Sequence, residues 1–359
     1  MQSWPDRRIL DLFEIEVPII QAPMAGSSTA ELAMAVSDAG GLGSLPCALL
    51  SLEQMRAALT LIGPSTSRQL NLNFFCHPSP AVDSVRSLNW RAQLAPYYVE
   101  LGLDPEAVPP AVDRKPFDDA CCNLVEEYRP AVVSFHFGLP SQNLLERVRK
   151  AGAKVISSAT TVAEARWLEQ RGCDAVIAMG FEAGGHRGSF LAVDMSQQIG
   201  TFALVPQIAD AVQIPIIAAG GIADARGIVA AFALGAAAVQ IGTAYLFCPE
   251  VNLPRLYREA LDGVGDENTM ITNVFTGKPA RGIVNRLMRE QGPLSLLAPA
   301  FPSAAAAVTP LKVKAETLGR DDFSNLWAGQ AARLARRSLP AGELTRLLAQ
   351  QALDKLSSF

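Results

Sequence analysis

Met179-Gly-Phe-Glu-Ala-Gly-Gly-His-Arg-Gly188 comes directly after the apolar run Asp174-Ala-Val-Ile-Ala178. The apolar run reads as a buried strand, and the ten residues from Met179 read as a glycine-rich loop at its carboxyl end. Backbone N–H groups exposed in such a loop cradle anions, most often phosphate. Glu182, His186 and Arg187 place charge and a titratable ring in the same loop. Two more glycine strand ends lie downstream, Ile216-Ile-Ala-Ala-Gly-Gly-Ile222 and Ala238-Val-Gln-Ile-Gly-Thr243. Such glycines also serve simply to permit tight βα turns. Three in succession, spaced as βα units on the last strands, predict one phosphate-bearing ligand at one face of a parallel barrel.

Outward from this loop the pattern repeats along the chain. Strands are expected at 17–22, 42–45, 69–75, 131–137, 154–158, 173–178, 214–219 and 236–241. Helices are expected at 29–39, 51–62 with Ser51 as N-cap, 141–151, 162–171, 202–212 and 225–234. Near-continuous apolar strands alternating with helices indicate a parallel sheet, and eight such units an α/β TIM (β/α)8 barrel. A doubly wound dinucleotide fold would need G-x-G-x-x-G after the first strand. The nearest stretch, Gly41-Leu-Gly43-Ser-Leu-Pro46, ends in proline and is wrongly spaced from a helix. The barrel is expected over 1–249, with an inserted helical lid segment at 77–130. Residues 250–359 are expected to form a mostly helical C-terminal extension that packs on the barrel and lines the site. Within it, Val274-Phe-Thr-Gly-Lys-Pro-Ala-Arg-Gly282 has the polar, glycine-rich character of a rim.

The 359 residues carry a formal net charge of −4 and no basic block, so nucleic acid is not an expected partner. Mean hydropathy is +0.19, yet no charge-free apolar stretch is long enough to span a bilayer. No export signal is evident, and a cytoplasmic protein is expected. Cys47, Cys76, Cys121, Cys122, Cys173 and Cys248 form no C-x-x-C pair and are expected to be reduced thiols. Three scattered histidines without carboxylates at ligand spacing offer no metal site. His77, before Pro78, reads as a strand-end cap. Arg187 either neutralises a ligand anion or pairs with Glu182 to shape the loop. His136 ends an otherwise apolar strand, as a core histidine or as a base. The carboxyl end of a barrel strand favours the base, because imidazole titrates near neutrality.

Six motifs run in order: Gln21-Ala-Pro-Met24, Asn71-Leu-Asn-Phe-Phe-Cys-His77, Ser134-Phe-His-Phe-Gly138, Glu182-Ala-Gly-Gly-His-Arg-Gly188, Ala218-Ala-Gly-Gly-Ile222 and Gln240-Ile-Gly-Thr243. With them the chain resembles the nitronate monooxygenases of class I, from about Leu12 to Trp327-Ala-Gly-Gln330. The resemblance implies a TIM barrel with a lid and non-covalent FMN. It places Ala22, Pro23, Met24 and Asn73 near the flavin ring. Backbone groups of Gly184, Gly185, Gly221, Gly242 and Thr243 would hold the phosphate, with Gly220, Gln240 and Ile241 in the same strand ends. His136 matches the catalytic base, and Lys312 would lie beside the substrate; His186 either anchors its loop through side-chain hydrogen bonds or stands near the phosphate or the substrate's nitronate. The implied reaction takes an alkyl nitronate such as propionate 3-nitronate, with O2, to a carbonyl compound and nitrite. A homodimer is compatible with it. Two departures stand out: Met179 occupies a flavin-side position where members commonly carry Gln, and Val308-Thr-Pro-Leu-Lys312 lacks a Tyr common before that Lys. An NAD(P)H-dependent FMN quinone or enoyl-thioester reductase is the first alternative. The second is a flavin-free lyase or isomerase acting on a phosphorylated substrate, disfavoured because no strand-end Lys suits a Schiff base.

Overall fold

The computed structural model describes residues 3–63, 69–79, 83–107, 114–191 and 194–358. Eight parallel strands build the expected barrel. They are β1 (Ile19–Gln21), β2 (Gly43–Pro46), β3 (Leu70–Phe75), β4 (Val132–His136), β5 (Lys154–Ala159) and β6 (Ala175–Met179). After a two-residue strand outside the barrel, β7 (Gly185–His186), come β8 (Ile216–Ala219) and β9 (Ala238–Ile241). β9 returns to pair with β1. Gln21 N–H donates to the Leu42 carbonyl and Leu42 N–H to that of Ile19, each at 3.0 Å, which joins β1 to the chain entering β2.

Helices fall where the periodicity places them. Ser51 caps Leu52–Ile62 reciprocally: its Oγ accepts from Gln54 N–H, and the Gln54 side chain accepts from Ser51 N–H. Thr29, Thr161 and Asp224 accept from first-turn N–H groups of their helices in the same way.

Side chains alternate across each strand, and the inward set changes character along it. Toward the amino-terminal ends, Ile20, Leu42, Val132, Ile156, Ala175, Ile177 and Ile217 form one buried cluster. Ile9 and Phe13 of the helix Arg8–Phe13 plug it from below. Further along the same faces come Asn73, His136, Ser158, Met179 and Gln240, which begin the site.

The expected excursion at 77–130 divides in two. Helix Asp119–Tyr128 packs on helix Gln142–Lys150 in the barrel's outer ring. Helix Ser84–Glu100 leaves the barrel and packs on helix Ala304–Thr317. There Trp90, Leu94 and Tyr98 share an apolar cluster with Val308, Leu311 and Phe323, distinct from the barrel core. Trp90 Nε1 donates to the Ala304 carbonyl and the Tyr98 hydroxyl to that of Ala307, so both buried polar tips are satisfied. Residues 80–82 and 108–113 of this stretch lie outside the described residues.

The C-terminal region is less uniformly helical than expected. It contains β10 (Thr269–Thr272) and β11 (Ala280–Ile283), antiparallel to each other, and β11 also pairs with β7. The glycine-rich loop is thereby stitched to the C-terminal region. Helix Ala341–Leu356 packs outside the barrel on helices Ala30–Asp38 and Ala225–Ala233. Among the described residues no helix is long and apolar enough to cross a membrane. All six cysteines are unpaired.

Candidate active site

The carboxyl ends of the strands open into a cavity of about 210 Å³. Ala22, Pro23, Met24, Asn73, His136, Met179, Gly184, Gly185, His186, Gly220, Gly221, Gln240, Gly242 and Thr243 all line it. Two expected site residues do not. Ile241 turns outward into the apolar layer between strands and helices, between cavity-facing Gln240 and Gly242, and its carbonyl accepts from Ala22 N–H at 2.8 Å. Lys312 lies on helix Ala304–Thr317, where its Nζ donates to Asn325 Oδ1 at 2.9 Å and stands 3.9 Å from Glu316. It reaches the cavity only through Asn325, which lines the wall.

The glycine strand ends have separate reasons to be glycine. Gly185, Gly220 and Gly221 have φ of 72°, 109° and 73°, which L side chains rarely adopt. At Gly184 the constraint is space, since a Cβ would lie 2.5 Å from the backbone nitrogen of Gly329. A Cβ at Gly185 would meet nothing within 4 Å, so the backbone there borders open cavity. Gln240 Oε1 is buried without a hydrogen-bond partner among the described residues. An orphaned amide acceptor beside left-handed glycine turns fits a polar ligand that brings its own donors and an anionic tail.

The loop's charges fold it rather than line up with each other. Arg187 is fully buried, and its partners are not Glu182. Its guanidinium donates to the carbonyls of Gly180 and Met179, at 2.5 and 2.8 Å, and to Gln198 Oε1. Burial pulls its pKa down to about 10. Arg281 from β11 donates to the next carbonyl, that of Phe181, at 3.0 Å. Glu182 instead caps helix Thr201–Ala209, accepting from the Thr201 N–H and hydroxyl, each at 2.8 Å. Of the two alternatives for Arg187, the direct pair with Glu182 does not form, because each side chain is taken up by polar groups nearer to it, and Arg187 does not line the cavity as a ligand-side cation either.

A second wall is aromatic and basic. Phe75, His136, His186 and Trp327 line the cavity, with Phe137, His77 and Phe301 packed around them. His186 Nε2 lies 2.9 Å from Thr276 Oγ1, and its ring tilts on Trp327 at 5.3 Å. His77 does act as an anchor, its Nε2 lying 3.0 Å from the Arg114 carbonyl. Burial lowers the pKa of all three histidines, that of His136 to about 4 and that of His186 well below its usual value. The positive charge of Lys278 adds to the effect on each. The rings are therefore neutral near pH 7. Lys278, itself pulled down by burial to about 8, donates to the Ser189 carbonyl at 2.9 Å and lies over the Phe137 ring. Arg114 lines the cavity beneath Phe301, and among the described residues its guanidinium has no carboxylate partner. Neutral imidazoles under the charges of Arg114 and Lys278, neither in a salt bridge among the described residues, give the wall the electrostatics of a receptor for a small anion.

Sequence reasoning passed over Arg114, Ser158, Asn325 and Trp327, all of which line the cavity, as does Thr276 from the expected rim segment 274–282. Ser158 had a signal, being two residues past inward-facing Ile156 on the strand beside His136. The others come from irregular segments whose position no periodicity encodes.

A family model for nitronate monooxygenase matches residues 6–351. The chain belongs to the nitronate monooxygenase family, and it is an oxidoreductase. A nitronate monooxygenase of Pseudomonas aeruginosa is 42% identical over 346 residues, 96% of this chain and 98% of that protein. Among solved structures, nitroalkane oxidase from Streptomyces ansochromogenes superimposes with a TM-score of 0.89 at 38% identity, covering 98% of this chain and 99% of the other. FabK from Thermotoga maritima is more distant, with a TM-score of 0.74 at 28% identity over 99% and 98% of the chains. This member of the nitronate monooxygenase family therefore keeps one architecture over nearly its whole length.

Proposed function

We propose that the protein is an FMN-dependent nitronate monooxygenase that converts alkyl nitronates such as propionate 3-nitronate, with O2, to a carbonyl compound and nitrite. The observation that carries this reading is the meeting, in one cavity, of glycine strand ends with neutral imidazoles and Arg114, with the charge of Lys278 acting on the same rings. In this reading residues 1–249 carry the cofactor and the C-terminal region closes the site over it. Backbone groups of Gly184, Gly185, Gly221, Gly242 and Thr243 would hold the FMN phosphate. Ala22, Pro23, Met24, Asn73, Met179 and the orphaned Gln240 amide would surround the ring. Bound FMN supplies the electron acceptor for the nitronate and the route to O2. The chain's own residues do the rest. Arg114 and Lys278 draw in the nitronate's negative charge, while Phe75 and Trp327 keep water from it. His136 acts as the base when the substrate arrives as a neutral nitroalkane. The unpaired thiols suit a reducing compartment, the cytoplasm.

Two measurements test the reading. Mass spectrometry of the ligand released by heat should show FMN, and FAD or no flavin from folded protein would sink it. Aerobic nitrite release from propionate 3-nitronate should proceed without NAD(P)H. Rapid anaerobic flavin bleaching by NADH without nitrite formation would instead favour the NAD(P)H-dependent reductase alternative.

A further inference from the structure

His136 ends β4 and Ser158 lies near the end of β5, continuing the register that pairs Ser134 with Ile156 and Phe135 with Ser157. Both face inward and line the cavity. Ser158 Oγ is 2.7 Å from His136 Nδ1, and His136 Nε2 is 3.0 Å from the His186 carbonyl oxygen. A carbonyl only accepts, so Nε2 carries the hydrogen. In the neutral ring Nδ1 is then the basic nitrogen, and the Ser158 hydroxyl donates to it. The ring's one basic lone pair is thus covered by a hydroxyl. Gly188 closes the edge between the two nitrogens, since a Cβ there would lie 3.1 Å from His136 Cε1 and 2.8 Å from Ser158 Cβ. Phe137 and Phe75 pack on the ring at 4.4 and 5.8 Å between centroids. Among the described residues Ser158 Oγ has no hydrogen-bond partner besides His136, which leaves its lone pairs free.

We propose that Ser158 is the group that meets the substrate's α-carbon and relays its proton to His136. The proposal rests on the reading that neutral nitroalkanes are deprotonated in this cavity. In the step, the α C–H bond breaks and its proton bonds to Ser158 Oγ. The proton formerly on that hydroxyl bonds to His136 Nδ1. The C–H electron pair becomes the C=N bond of the nitronate, and the negative charge moves onto the nitro oxygens. The step leaves a nitronate, an imidazolium and an intact serine, with nothing oxidised or reduced. The imidazolium then donates from both nitrogens, to Ser158 Oγ and to the His186 carbonyl. The nitronate's charge offsets that of the new cation.

The flavin-loaded wild type provides the first test, by isotope effects on turnover of a neutral nitroalkane. A relay moves the exchangeable serine proton in the same step as C–H cleavage. A normal solvent isotope effect should therefore accompany the α-deuterium effect. An α-deuterium effect with no solvent effect would overturn the proposal, because direct attack by Nδ1 moves only the carbon-bound proton. Ser158→Ala should lower nitroalkane turnover by about 10²-fold or more while sparing a pre-formed nitronate, at unchanged flavin content. Nitroalkane turnover within about threefold of wild type, or equal losses on both substrates, would overturn it. Imidazole 15N NMR of His136 should report the Nε2–H tautomer, and an Nδ1–H ring would overturn it as well. If wild type turns over neither substrate, the nitronate reading fails, and the NMR result still reports on the His136–Ser158 pair independently.

Discussion

The two ends of the barrel are made by the same strands, a few residues apart. At the amino-terminal end the inward side chains are Val132, Ile156, Ala175 and Ile217, closed by Ile9 and Phe13. At the carboxyl end they are His136, Ser158, Met179 and Gln240, open to the cavity. The lower end buries apolar surface and gains from it. The upper end takes imidazoles out of water and sets the charges of Lys278 and Arg114 near them, each of which costs free energy. Stability is thus concentrated at one end of each strand and reactivity at the other. Mutations at the two ends should therefore fail in different ways.

The sharpest contrast comes from one substitution at each end. Under the proposed chemistry, His136→Asn should lower turnover of a neutral nitroalkane by about 10²–10⁴-fold, keep the flavin, and affect a pre-formed nitronate much less. Equal losses on both substrates would assign His136 to binding or structure. Phe13→Ala, in the plug, should cost about 3–5 kcal/mol of stability, seen as a lower denaturant midpoint, with kcat of the remaining folded protein unchanged. A catalytic defect there would blur the division between the ends.

The pH dependence of stability separates them further. The folded-state pKa of His136 is depressed to about 4, and those of His77 and His186 are also lowered. The unfolded chain therefore binds more protons than the folded one below about pH 6.5. Stability should be full above that value and fall as pH drops toward 4, with His136 contributing roughly 2–3 kcal/mol at most. Calorimetry from pH 8 to 5 checks the sign. His136→Asn should flatten the acid side of the profile, whereas Phe13→Ala should lower the whole curve without changing its slope. A profile unaltered by His136→Asn would mean that this ring is not held neutral by burial.

The smallest effect is expected at Met179. A thioether there cannot donate a hydrogen bond to the flavin, and one neutral hydrogen bond is worth about 0.5–1.5 kcal/mol. If FMN binds as proposed, Met179→Gln should raise its potential by roughly tens of millivolts on that scale, with flavin content unchanged. A redox titration beside a flavin assay decides it. An unchanged potential would place residue 179 out of reach of the ring, and loss of flavin would make Met179 a packing residue.

Much of this division can be read along the chain. Strand and helix periods, the Ser51 cap and the glycine strand ends are local patterns, and a local pattern constrains the backbone within a few residues of itself. The same two-residue period that buries Ile156 turns Ser158 and His136 toward the cavity, so the barrel and the cavity-facing ends of its strands follow from spacing. What lies opposite each group does not. β7 is only Gly185–His186, too short to carry a strand signature, and it exists because β11 arrives from about a hundred residues away. Arg187 pairs with carbonyls and Gln198 instead of Glu182, Lys312 turns to Asn325, and Arg114 comes to the cavity from an irregular segment. Those outcomes depend on closing the barrel and docking the C-terminal region on it. Contacts between residues far apart in the chain are chosen by packing and by the need to satisfy every buried polar group, and neither is a property of a short window of sequence.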